Sequence, residues 1–218
     1  GMLVAKFELN PFIVTLAAMF IFKGLSFLIG RTSKVSSSSI DASFTKFPEN
    51  FPRIGGGYLF GKVQYINIYM IIILIFLYFL LERNVFFRQN FFIGGNEQAA
   101  ILAGIKTKLL IILNFALVST LVAISIILRF SRWQAASANL GGESLGLFVL
   151  GAVIIGGGSL KGGVGSIIGT FLGVSLLTII NTGITIIGMD PLFGDIFLAG
   201  ILMFSILLDK YSKKLILK

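Results

Sequence analysis

Cysteine and histidine are absent from the 218 residues, and charged side chains make up only 12% of them. Without cysteine there is no disulfide framework and no Cys-type metal site. Without histidine the chain lacks the commonest general base and metal ligand. Acid–base chemistry would rest on Glu143, Asp190 or Asp195 alone, and none of them is paired at a telling spacing, which argues against a membrane-embedded enzyme. A soluble domain usually carries about 25% charged residues, so a chain at 12% cannot clothe itself for water. No cleavable signal peptide is evident, and the glycine ahead of Met2 reads as an added residue or the edge of a fragment.

What is present is hydrophobic: 56% of the residues, with a mean hydropathy of +0.98. A helix that crosses a bilayer needs about 20 largely apolar residues. The runs Pro11–Ile29, Val63–Leu81, Leu109–Leu128 and Val164–Ile187 meet that length, and Leu145–Gly158 and Phe193–Leu208 are shorter. The pattern predicts an all-α, polytopic membrane bundle of about six segments, with one helix broken near Gly156–Gly163. The whole chain, residues 1–218, reads as a single transmembrane domain.

The net charge of +9 would suggest nucleic acid in a soluble protein. Here the cations flank the apolar runs, which is how membrane spans are anchored, and no nucleic-acid partner is expected. If the loop around Glu97 and the C-terminal tail face the cytoplasm, ten cations lie inside: Lys6, Arg83, Arg88, Lys106, Lys108, Lys161, Lys210, Lys213, Lys214 and Lys218. Seven lie outside: Arg31, Lys34, Lys46, Arg53, Lys62, Arg129 and Arg132. The bias has the sign of the positive-inside rule. The longest connection, from Arg31 to Lys62, opens on a serine-rich stretch and continues through Pro48, Pro52 and Gly55-Gly56-Gly57. These residues predict an irregular connector without regular helix.

Three features stand out as candidate sites. The first is the half-polar segment Gly94-Gly95-Asn96-Glu97-Gln98-Ala99-Ala100-Ile101-Leu102-Ala103-Gly104-Ile105. A polar helix between membrane spans cannot lie in lipid. Glu97, Ala100 and Gly104 fall at i, i+3 and i+7, which predicts one shallow helix face open to a partner.

The second is Gly156-Gly157-Gly158-Ser159-Leu160-Lys161-Gly162-Gly163-Val164-Gly165-Ser166. It contains no Gly-Lys-Ser/Thr, so it is not a nucleotide-binding P-loop, and the chain is expected to hold no cofactor of its own. The glycines mark either a break at membrane depth beside a water-filled path or a tight turn between helices. Beyond it, Gly165, Gly169 and Gly173 recur every fourth residue, a ridge along which another helix can approach closely.

The third is polar. Thr178, Asn181 and Thr185 cluster away from that ridge, which predicts a helix buried on both sides, with a polar path lined by these residues. Back-bonding of the threonines to their own carbonyls is the alternative. Lys23 lies near the middle of the first apolar run. It either snorkels to an interface or faces the bundle interior and marks a path.

Gly94-Gly95-Asn96-Glu97 with Ala99-Ala100 and Gly104-Ile105 resembles the cytoplasmic coupling segment of sugar ABC importer permeases, the ribose, xylose and arabinose group. Gly142-Glu143-Ser144-Leu145, the run Gly151 to Thr170, Asn181-Thr182-Gly183 and the closing Ala199-Gly200 to Leu208-Asp209 resemble the C-terminal signature of the same family. Pro11-Phe12-Ile13-Val14-Thr15-Leu16 with Lys23-Gly24 is similar to an earlier span of it. Against the family pattern the chain looks N-terminally shortened, and Gly158 stands where a threonine is frequent.

The resemblance implies a multi-pass permease of the cytoplasmic (inner) membrane that moves a simple sugar. Its implied partners are separate ABC ATPase subunits that bind the ATP, a substrate-binding protein, and a second permease subunit forming a homo- or heterodimer. It places Gly95, Asn96, Glu97, Ala100 and Gly104 in the segment gripped by the ATPase. Branched-chain amino acids, nucleosides or an autoinducer are the alternative cargoes, and a non-functional fragment is the alternative state.

Overall fold

The computed structural model describes residues 1–32, 43–44, 47–59, 61–137, 143–159 and 162–188, with short pieces at 193–194, 196, 199–201 and 203. Among these residues the chain is helical, with only two-residue strands. Four helices are long and apolar enough to cross a membrane: Pro11–Thr32 (α2), Tyr65–Glu82 (α4), Thr107–Trp133 (α7) and Ile167–Ile186 (α9). A fifth apolar helix, Glu143–Ile155 (α8), has 13 residues, about 20 Å, which is short of a hydrocarbon core of about 30 Å. This is an all-α, multi-pass membrane protein. Most of the expected last run, 193–208, and all the tail cations from Lys210 onward lie outside the described residues. The long helices leave Ile71, Ile72, Phe76 and Phe79 of α4 and Val118, Val122 and Ile127 of α7 exposed, as side chains facing lipid would be.

The chain divides into two compact units, Gly1–Phe76 with Lys106–Leu140, and Leu77–Ile105 with Gly141–Lys218. The first unit is built around α7. At its N-terminal end the short helix Met2–Phe7 (α1) packs through Val4 and Ala5, and Leu110 of α7 is fully buried. Glu8 pairs with Lys108 at 3.2 Å. At the other end of α7 lies the helix Phe51–Gly56 (α3), and this corrects the expectation of an irregular connector. Pro52 sits in the first turn, where its missing N–H costs nothing.

One side chain secures α3. Ser131, fully buried, donates its hydroxyl to the Phe51 carbonyl at 2.6 Å and accepts from the Gly55 N–H at 2.8 Å. A Cβ at Gly55 would stand 2.6 Å from the Leu128 carbonyl oxygen, so only glycine lets α3 approach this closely. A small hairpin follows, Tyr58–Leu59 (β2) against Val63–Gln64 (β3), turning at Gly61 with φ 71°. Ser43–Phe44 (β1) pairs antiparallel with Ala136–Ser137 (β4). The expected second span thus starts two residues late, because Val63 and Gln64 are taken by β3.

The first unit also sorts its cations by end. Lys6 of α1, Lys106 and Lys108 belong to the start of α7. Arg53 of α3, Arg129 and Arg132 belong to its finish, with Gly56 beside Arg132 and the Arg129 guanidinium 4.5 Å over the Trp133 ring. At 27 residues, α7 holds the two sets about 40 Å apart. These are the groups that the charge pattern assigned to opposite faces of the membrane.

Candidate functional site

The second unit contains the glycine-rich segments. After α4 the chain turns at Asn84, whose side-chain oxygen accepts from the Phe86 N–H, and runs through Val85–Gly95 (α5). Asn96 then does two jobs. Its N–H closes the end of α5 on the Phe92 carbonyl, and its Oδ1 accepts from the Ala99 N–H at 3.0 Å to cap the next helix, Glu97–Leu102 (α6). Extended backbone at Asn96, φ −157°, separates the two helices. Glu97 follows in the first turn, where a carboxylate suits the positive end of the helix.

The end of α6 is a Schellman turn. The Ile105 N–H reaches back to the Ala100 carbonyl and the Gly104 N–H to that of Ile101. Gly104 adopts φ 81°, a left-handed conformation that a Cβ disfavours. This corrects the predicted helix face in two ways. Gly104 lies past the helix and terminates it, and Ala100 points inward at 4% exposure. Every other residue of the helix is exposed, among them Glu97 and the apolar pair Ile101 and Leu102, the last at 89% exposure. Periodicity alone missed the apolar pair because it assumed eight continuous helical residues, Glu97 to Gly104, where the helix has six in all.

The glycine-rich run joins α8 to α9, and its described residues form a turn between the two helices. Backbone bonds fold it: the Gly157, Gly158 and Ser159 N–H groups reach Ile154, Val153 and Val164 carbonyls. Gly157, Gly162 and Gly163 take φ of 85°, 87° and 79°. A Cβ at Gly158 would meet the Val153 side chain at 2.5 Å.

α8 and α9 then pack along each other. Gly169 abuts the Gly156 carbonyl and Gly173 the Ala152 carbonyl, each leaving no room for a Cβ. As α9 advances by one turn the contact on α8 retreats by one turn, so the pair is an antiparallel hairpin. Gly169 and Gly173 therefore form the predicted close-packing ridge. Gly165 does not, because α9 starts after it at Ile167, with Ser166 as its cap.

A contact that the sequence did not announce links the two glycine segments. A Cβ on Gly94 would collide with the Gly163 nitrogen, and one on Gly162 would lie 2.9 Å from the Gly94 Cα. Gly163 is as close to Gly95, whose nitrogen would be 3.0 Å from its Cβ. The end of α5, directly ahead of the α6 turn, thus lies backbone to backbone on the α8–α9 loop. Only the glycine content of both segments hinted at it.

The polar residues of α9 occupy its open side. Gly173, Leu177 and Ile184 are buried, whereas Thr178, Asn181 and Thr185 are exposed, so among the described residues the helix is covered on one side and not on both. Thr178 donates to the Val174 carbonyl at 2.8 Å and Thr185 to that of Asn181 at 3.0 Å, the back-bonded alternative. The Asn181 amide has no such escape and stands beside Gly194, whose Cβ would be 3.6 Å from its oxygen. Lys23 is half-buried on α2, in the other unit. Asp190 and Asp195, and the side chain of Glu143, lie outside the described residues.

The chain is 33% identical over 217 residues to the galactose/methyl galactoside import permease protein MglC of Salmonella typhimurium, covering 98% of this chain and 63% of that protein. It is 31% identical over 210 residues to the ribose import permease protein RbsC of Bacillus subtilis, 96% of this chain and 62% of that one. It is 31% identical over 217 residues to the L-arabinose transport system permease protein AraH of Escherichia coli, 98% and 62%. The chain therefore spans less than two thirds of the length of these relatives. No solved structure matches it. The family profile described as branched-chain amino acid transport system / permease component matches from residue 1 to residue 206, and the chain belongs to that family.

Proposed function

We propose that the chain acts as one permease domain of an ABC importer in the cytoplasmic membrane, passing a simple sugar and leaving ATP hydrolysis to a separate subunit. The observation that carries this reading is the alignment of almost the entire chain with import permeases whose names specify galactose, ribose and arabinose. On this reading the chain catalyses no reaction and holds no cofactor, and a second permease copy or homologue completes the path.

The α6 turn is the handle for the ATPase. Its exposed Ile101 and Leu102 supply the apolar contact, and Glu97 the polar one, for seating in a groove of the motor. Because Gly94 rests on Gly162 and Gly163, a displacement of α6 is passed to the α8–α9 hairpin without a flexible side chain between them. Asn181, with Thr178 and Thr185, faces the substrate path, and Lys23 of α2 is a path residue by the charge it carries within an apolar run. A substrate-binding protein delivers the sugar at the end of α7 that carries α3 and the β2–β3 hairpin.

Deletion of the gene in its own organism tests the cargo. Uptake of radiolabelled ribose, galactose or arabinose should fall to background while leucine uptake stays unchanged. Loss of leucine uptake alone would instead support the second reading, a branched-chain amino acid permease, which the family's own description favours.

A further inference from the structure

The elbow between α4 and α5 holds a cavity of about 380 Å³ lined by Leu81, Glu82, Arg88, Phe91 and Phe92. All five belong to the second unit. Its wall carries one anion and one cation, and among the described residues the Glu82 and Arg88 side chains form neither an ion pair nor a hydrogen bond with each other or with anything else. Two opposite charges left unpaired across one small cavity are complementary to a ligand that carries both signs.

The surroundings sharpen the match. Glu82 ends α4, whose last turn holds no basic residue although Arg83 follows it directly, and Arg88 lies in the opening of α5, which has no acid in its first turn. Each helix end thus adds to the sign of the side chain beside it. The remaining walls are apolar and aromatic, suited to an acyl chain and to the face of an ammonium group. α4 is a membrane-crossing helix, and the cavity opens where it ends. Beyond the elbow, α5 leaves Val85 at 75% and Phe92 at 66% exposure, as a helix lying in the headgroup layer would.

We propose that this elbow is a binding site for the headgroup of a phosphoethanolamine lipid, with the phosphate on Arg88 and the primary ammonium on Glu82. A choline headgroup has no N–H to donate to Glu82, and a glycerol headgroup brings no cation to it. The site does not depend on which cargo the permease carries, only on the chain residing in a bilayer.

Native mass spectrometry of the purified full chain, exposed to equal amounts of dioleoyl phosphatidylethanolamine, phosphatidylcholine and phosphatidylglycerol, tests this. The ethanolamine lipid should be retained roughly threefold over each of the others, the ratio an exposed charge pair supplies. Glu82→Gln should erase its advantage over phosphatidylglycerol, and Arg88→Gln should lower retention of the ethanolamine lipid along with the other two, since all three carry the phosphate. Both positions are solvent-exposed, so folding is not at stake, and circular dichroism should show unchanged helicity. Equal retention of the three lipids, or an unchanged ratio in Glu82→Gln, would overturn the proposal. Displacement of the bound lipid by soluble O-phosphoethanolamine at equal concentration would overturn the lipid as the source of the headgroup.

Discussion

Ser131 shows how much one hydroxyl can hold. It satisfies a carbonyl and an N–H of α3 from within α7, fully out of water. Replacing it with alanine leaves the Gly55 N–H buried without an acceptor, which costs about 1–3 kcal/mol. Thermal unfolding of Ser131→Ala in detergent should begin several degrees earlier than in the parent, and an unchanged transition would contradict the pinning role. At the α6 turn the expected effects are functional. Leu102 is 89% exposed, so Leu102→Glu should leave the fold intact while abolishing co-purification of the ATPase subunit. Gly104→Ala forces a Cβ into φ 81° and should loosen the turn by about 1 kcal/mol, with Gly104→Asn tolerated better.

Elements in the second unit meet through glycine. The α8–α9 hairpin closes on Gly156, Gly169 and Gly173, where a Cβ would intrude on a carbonyl of the facing helix. Gly169→Val must push the helices apart, with an overpacking cost of about 1–3 kcal/mol. The protein should still insert, but the hairpin should become sensitive to protease at the 156–166 loop; resistance equal to the parent would count against the close packing. Gly94→Ala acts differently. It wedges the end of α5 off Gly162 and Gly163, so the α6 turn should still bind the ATPase while uptake falls by about tenfold or more, as a mispositioned contact can cost. Uptake at the parental rate would mean that the glycine contact does not carry the motion.

For the whole molecule, the absence of cysteine makes topology directly measurable. Glu97→Cys and Lys62→Cys each introduce a single thiol. A membrane-impermeant maleimide applied to intact cells should label the Lys62 position at once and the Glu97 position only after permeabilisation. The reverse result would place the coupling turn on the outer face and end the importer reading. The sorting of Lys6, Lys106 and Lys108 from Arg53, Arg129 and Arg132 along α7 leads to the same expectation, because cations flanking a span mark its two ends.

Chain composition alone determined that this is a helical membrane protein. Apolar runs of spanning length with few charges leave no other way to satisfy the backbone, and the run limits read from Pro11, Leu109 and Val164 fall within a few residues of α2, α7 and α9. The glycine segments were visible too, because glycine is conspicuous between hydrophobic residues. Their partners were not. Which backbone Gly94 touches, whether Ala100 faces in or out, and that Pro52 opens a helix rather than a loop were settled by tertiary contacts between residues far apart in the chain. Local propensity and periodicity carry no term for such contacts, and a small residue is equally legible as a hinge, a turn or a seat until the opposing surface is in place.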